Sequence, residues 1–261
     1  MKRIALGIEY DGSSWRGWQT QPDGQTVQDR LQEAIAAFTQ TNITAACAGR
    51  TDAGVHAVEQ VVHLDTELDR PSISWVRGVN SFLPHSIAVR WACEVPKEFH
   101  ARASATARCY QYVLYNHPVR SPLLRGRVGW IFRPLNLEAM QEAARYLLGE
   151  HDFSAFRAAE CQAFTPIKTM HDIRIERRGR LIVFTLQANA FLHHMVRNIV
   201  GSLVYVGKGD YPPMWMDRIL KGKKRKDAAP TFMPDGLYLY KVIYDKKWGL
   251  PQSDPELPFW S

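Results

Sequence analysis

The order in which hydrophobic periodicities follow one another constrains the fold of this chain more than any single motif does. "RIALGIEYD" (3–11) puts Ile4, Leu6, Ile8 and Tyr10 at alternate positions, the period of a half-buried strand. "TVQDRLQEAIAAF" (26–38) spaces Val27, Leu31, Ala34, Ile35 and Phe38 at helical intervals. Thr26 with Asp29 makes a capping box in which Asp replaces the usual Glu or Gln. "ITAACA" (43–48) and "VEQVVHLDT" (58–66) read as strands, "SISWVRGVNSFL" (72–83) as a helix and "IAVRWACEV" (87–95) as a strand. The order is βαββαβ.

The second half repeats that order. "ARCYQYVLYN" (107–116) is a strand, and "NLEAMQEAARYLL" (136–148) is a helix with Asn136 as N-cap and Gly149 just past its end. "TMHDIRIER" and "RLIVFTLQA" form a hairpin around "RRGR"; "HHMVRNIVGSLVYV" (193–206) is a helix and "GLYLYKVIYD" (236–245) the closing strand. The residues do not repeat; the element order does. The expectation is an α+β fold of two ferredoxin-like halves, 1–105 and 106–261, with antiparallel sheets around a central basic cleft. The segment from about Gly207 to Asp235 interrupts the repeat with a short helix, a basic cluster and "APTFMPDG", and the tail "PQSDPELPFWS" reads as irregular.

A net charge of +7 on 261 residues favours an anionic partner such as a nucleic acid, a phosphorylated metabolite or an acidic membrane surface, though many soluble proteins are mildly basic. Cys47, Cys93, Cys109 and Cys161 form no CxxC pair and lack zinc-site His spacing, so they read as reduced thiols of a cytoplasmic protein. The apolar run of "MKRIALGIEYDG" breaks at Glu9, too early for a signal peptide, and no stretch approaches the length of a membrane span. The chain holds no GxxxxGK[ST], GxGxxG or HExxH, so nucleotide-driven and zinc-dependent mechanisms lack support.

"GRTDAGVHA" (49–57) is the stretch that asks for a function. Asp-x-Gly is ordinary turn chemistry. This connection is longer than a hairpin needs, however, and small residues flank Asp52 so that other groups can approach it. Arg50 is a candidate to hold the carboxylate ionised, since a nearby cation lowers its pKa. On the helix from residue 193, His194, Arg197, Asn198 and Gly201 share one face, and Met195, Ile199, Leu203 and Val206 the opposite, buried one. Gly201 costs about 1 kcal/mol against Ala in a helix, which suggests close approach by a backbone or ligand. Tyr110, Tyr112, Tyr238 and Tyr240 are core aromatics or base-stacking platforms. "KGKKRK", with Lys221, Lys223, Lys224, Arg225 and Lys226, and the loop pair Arg16 with Trp15 and Trp18, suit RNA phosphates and bases; a solvated charge run is the plain alternative for the first.

Five blocks in order, "EYDGSSWRGWQ", "GRTDAGVHA", "FHARASATARCYQY", "ANAFLHHMVRNIVG" and "GLYL", resemble those of the tRNA pseudouridine synthases of the TruA type. The resemblance covers nearly the whole chain. It implies the pseudouridine synthase fold, isomerisation of uridine at positions 38 to 40 of the tRNA anticodon stem-loop, a homodimer, and no metal or organic cofactor. It places Asp52 on the catalytic aspartate, Tyr110 on the tyrosine against the target base, Arg197 on the arginine that pairs with the aspartate, and Leu237 on an apolar wall of the pocket. Arg50 and His56, within the aspartate motif, count as further substrate-binding candidates. Cys109 departs from the basic residue that many members carry before the tyrosine. The chemistry needs no redox change or energy input, which suits the missing motifs. Two rivals stand beside this reading: a non-catalytic RNA-binding protein of tandem ferredoxin-like folds, which gives Asp52 no task, and a hydrolase, for which no GxSxG elbow is present.

Overall fold

In chain order the computed structural model has β1 (Lys2–Tyr10), α1 (Val27–Thr39), β2 (Ala46–Cys47), β3 (His56–Thr66), α2 (Ser72–Asn80), β4 (Ile87–Val95) and β5 (Ala105–Asn116). These are followed by β6 (Gly129–Ile131), α3 (Leu137–Arg145), β7 (Gly149–Asp152), β8 (Ile167–Arg178), β9 (Leu181–Ala188), α4 (Met195–Gly207), α5 (Trp215–Gly222) and β10 (Leu237–Tyr244). The structure describes residues 1–251, 255–257 and 259, so part of the tail expected to be irregular lies outside the described residues. Two compact units emerge, Met1–Thr106 with the chain from Tyr238 on, and Ala107–Leu237. The fold is mixed α+β.

In the first unit β4, β1, β3 and β2 lie side by side and antiparallel, the strand order of a ferredoxin-like unit. β2 is only two residues long; the rest of the expected 43–48 strand is irregular. β10 runs parallel to the start of β3, with Tyr238 opposite His56 and Leu239 opposite Ala57. That pairing carries the last strand into the first unit, whereas the sequence split after residue 105 groups it with the second half.

Helix α1 begins where expected: Thr26 Oγ1 accepts the Asp29 N–H at 3.2 Å, and the two side chains bond each other. Its buried stripe is Val27, Leu31, Ala34 and Ile35, and full burial of each of the large ones contributes roughly 1.5–3 kcal/mol. Helix α2 packs on it through Gly78, where a Cβ would stand 2.1 Å from the Phe38 ring, and through Trp75, whose ring meets Phe38 edge-on at 5.2 Å.

In the second unit β5, β9, β8 and β7 are antiparallel neighbours, with β6 parallel to the end of β5. β6 and β7 are too short to show a periodicity. Asn136 caps α3 by accepting the Ala139 N–H at 3.0 Å, and the helix gives way at Tyr146 to tighter turns before Gly149 at φ +96°. Helix α4 is buried nearly all round. Among the described residues no helix is long and apolar enough to cross a membrane.

Candidate active site

The loop between β2 and β3 carries Asp52, and the loop after β1 holds it in place. The Thr51 carbonyl accepts the Trp18 N–H at 3.0 Å, and the Thr51 hydroxyl lies 2.7 Å from that of Tyr10. Asp52 opens a four-residue turn closed by the Val55 N–H on its carbonyl at 3.1 Å, with Gly54 at φ +79°, the sign a type II turn requires there. Gly54 N–H in turn bonds the Trp15 carbonyl at 3.2 Å. Two glycines let the strands of chain touch. A Cβ on Gly12 would stand 1.9 Å from the Val55 carbonyl oxygen, and one on Gly17, at φ +87°, would stand 2.7 Å from that of Thr51. At the other end of the loop the Gln60 amide bonds both backbone groups of Gly49. A long loop that is pinned along its length presents its carboxylate in one place; Asp52 itself is half-buried.

The other candidates on this unit differ in setting. Arg50 is exposed, and its charge reaches the Cys47 thiol, which burial pushes up and Arg50 pulls down. His56 is buried and stacked on Tyr238, ring centroids 4.6 Å apart. Its Nδ1 accepts the Gly12 N–H at 3.0 Å, while Asp11 Oδ1 lies 3.2 Å away. The Gly12 bond makes Nδ1 the acceptor nitrogen of the ring. Arg16 is exposed and ion-paired with Asp23. Trp18 is wholly buried against Tyr10, and Trp15 bonds Ser86 Oγ through its indole N–H at 3.2 Å.

On the second unit Tyr110 is buried on β5 and meets the Phe191 ring edge-on at 5.0 Å. Arg197 is half-buried near the start of α4, and its Nε donates to the Phe232 carbonyl at 2.8 Å, which fixes the guanidinium plane. His194, the N-cap, sits at φ +61°, unusual for a residue with a side chain. The α4 face that carries these residues is half-buried at His194 and Arg197 and buried at Asn198 and Gly201. Asn198 is fully buried, donates to the Phe156 carbonyl at 2.8 Å and accepts from Arg225 and Thr231. Gly201 answers a backbone, as its cost suggested: its absent Cβ would lie 2.8 Å from the Pro230 carbonyl oxygen.

The basic run divides. Lys221 pairs with Asp217 at 2.7 Å and Lys223 with Asp152 at 3.2 Å. Arg225 turns inward to the Ala229 carbonyl, Asn198 and Thr231, and burial pulls its pKa below the ordinary value. Lys224 and Lys226 are exposed. Leu237 is buried, with its N–H on the Pro234 carbonyl at 2.8 Å. Tyr112 is core: its hydroxyl donates to the Met233 carbonyl at 3.1 Å. The four cysteines are free thiols. Sequence reasoning passed over Tyr10, Gly12 and Gly17 as supports of the aspartate loop; the signal was there in the glycines of "YDGSSWRGW".

A family model described as tRNA pseudouridine synthase matches residues 7–102 and 143–245. A protein of Herminiimonas arsenicoxydans described as tRNA pseudouridine synthase A is 66% identical, covering 100% of this chain and 96% of its own. Its counterparts in Janthinobacterium sp. (strain Marseille) and Paraburkholderia xenovorans (strain LB400) are 64% and 56% identical, each covering 100% of this chain and 98% and 97% of their own. With strand order, aspartate loop and these matches together, the chain belongs to the tRNA pseudouridine synthase family, enzymes that isomerise uridine.

Proposed function

We propose that this chain isomerises uridine to pseudouridine at positions 38 to 40 of the tRNA anticodon stem-loop, with Asp52 as its catalytic carboxylate. The observation that carries the reading is a half-buried aspartate on a loop held by backbone bonds at Thr51, Asp52 and Gly54, in a chain of this family. In the reaction the N1–C1′ bond breaks, uracil turns, C5 bonds C1′, the C5 hydrogen leaves as a proton and N1 gains one. A carboxylate positioned at the target nucleotide is the group that could do nucleophilic or base work. The target nucleotide has to leave its stack first, at a cost of a few kcal/mol that phosphate contacts and ring stacking offset.

Tyr110, Arg197, Leu237, Arg50 and His56 are assigned to substrate binding. Arg197 and Tyr110 are supported by their fixed settings against Phe232 and Phe191. His56, stacked and bonded to its own chain, acts through the shape of the loop. Arg16, Lys221, Lys223, Lys224 and Arg225 are assigned to RNA contact, with exposed Lys224 the best placed and inward-turned Arg225 the least. A cytoplasmic homodimer completes the reading on the strength of the TruA-type resemblance, and sedimentation equilibrium measures its stoichiometry.

Tritium release from tRNA labelled at uridine C5 tests the function, because C5 loses its hydrogen only when a new bond forms there. We expect release by the wild type and none by Asp52→Asn, with tRNA binding kept. Binding without release by either protein would establish the rival, a non-catalytic RNA-binding protein.

A further inference from the structure

The anchors of the aspartate loop converge on the residue before the aspartate. Thr51 is bound on two sides, by the Tyr10 hydroxyl at 2.7 Å and by the Trp18 N–H at 3.0 Å. All three residues are buried: Trp18 is 0% exposed, Tyr10 3% and Thr51 7%. The anchors also support each other, since the Trp18 and Tyr10 rings pack at 5.9 Å. Below them Gly17 leaves no slack, its Cα lying so close to the Thr51–Asp52–Ala53 backbone that a Cβ would overlap it. Tyr10 belongs to β1, which is hydrogen-bonded on both edges, so the hydroxyl is held by the sheet. We infer that Thr51 is a positioning residue for Asp52, and that the Tyr10 hydroxyl is the group that holds it.

One bond fixes the Thr51 side-chain rotamer and the other its carbonyl, so the direction in which the chain enters Asp52 is set from both sides. Asp52 is the next residue, and its own carbonyl is committed to Val55. A displacement near 1 Å of a reacting group costs rates on the order of a hundredfold, while substrate binding spread over a large RNA surface is barely touched. A hydroxyl pair that only stabilised the core would lower the melting temperature and leave the turnover of the folded protein alone.

The inference rests on Asp52 being the catalytic carboxylate, so the test has two arms. In the first, Tyr10→Phe and Thr51→Val each delete one hydroxyl with little change of shape. Steady-state tritium release should show kcat reduced by about tenfold with KM for tRNA within about twofold. Thr51→Ser, which keeps the hydroxyl, should recover most of the rate. Unchanged kcat in both deletions, or a serine variant as slow as the valine one, would overturn the inference. The second arm needs no turnover. Amide exchange at Trp18 should quicken by about tenfold in Tyr10→Phe while the β1 and β3 amides keep their protection. Equal Trp18 exchange in the two proteins overturns the inference by itself. A wild type with no tritium release sinks the Asp52 reading and leaves the exchange arm to decide the positioning of Thr51.

Discussion

A histidine in a sheet interior shows how a single side chain ties stability to pH. His63 lies on β3, its Nδ1 accepting the Ala101 N–H at 3.2 Å. Burial pushes its imidazole down from 6.5 to about 4, and the charges of His100 and Arg3 push the same way, against a smaller opposite pull from Asp65. Between those two values the unfolded chain takes up a proton that the folded chain refuses, so stability rises with pH through the window and is complete above 6.5. Acidification to pH 4.5 should therefore remove about 2–3 kcal/mol. Urea titrations at pH 7.0, 5.5 and 4.5 check this: His63→Gln should show a flatter loss than the wild type, and parallel losses would count against it. None of this was legible in the sequence, where His63 is one more residue in an alternating strand. The loop around Asp52 did leave a local trace, because small residues around an acid in an overlong connection stand out in the sequence. His56 stands out as much in the same motif, yet its stacking on Tyr238 depends on a strand from the far end of the chain.

At the scale of elements, α4 separates propensity from packing. Helix propensity favours Gly201→Ala by about 1 kcal/mol. The added methyl would stand 2.8 Å from the Pro230 carbonyl oxygen, a backbone atom with little room to yield. Overpacking of that kind costs about 1–3 kcal/mol, so Gly201→Ala should lower rather than raise the melting temperature; calorimetry showing a stabilised variant would reverse the argument. The spacing of α4 revealed its apolar stripe but not the burial of Asn198 on the other face. Asn198 is polar and fully buried because Phe156, Arg225 and Thr231 satisfy it, and those partners come from segments with no periodicity. Elements long enough to show a period were readable, as β1 and α1 show. The two-residue β2 and the short β6 and β7 exist only through their neighbours' hydrogen bonds.

For the whole molecule, the excess of +7 charges is the property an RNA partner senses first. Within the basic run, side chains already engaged inside the protein have less to offer a phosphate. Lys224→Gln with Lys226→Gln should make the dependence of tRNA binding on salt shallower by about one unit of log–log slope, with an unchanged melting temperature. Arg225→Ala should do the reverse, lowering the melting temperature because buried Asn198 loses a half-buried charged donor. Filter binding between 50 and 200 mM salt, beside a melting curve, checks both; an unaltered slope in the lysine variant would make the run a bystander. The βαββαβ order was readable at this scale, but the partition of the chain was not, since strand partners distant in sequence leave no local trace. That partition bears on how the protein is made. β3 emerges from the ribosome early, and the parallel partner for its first residues, β10, is translated only after the whole second unit. Until then the edge of β3 at His56 and Ala57 lacks its parallel partner, just where the aspartate loop ends. The end of β3 that follows the aspartate loop thus gains its last strand partner late.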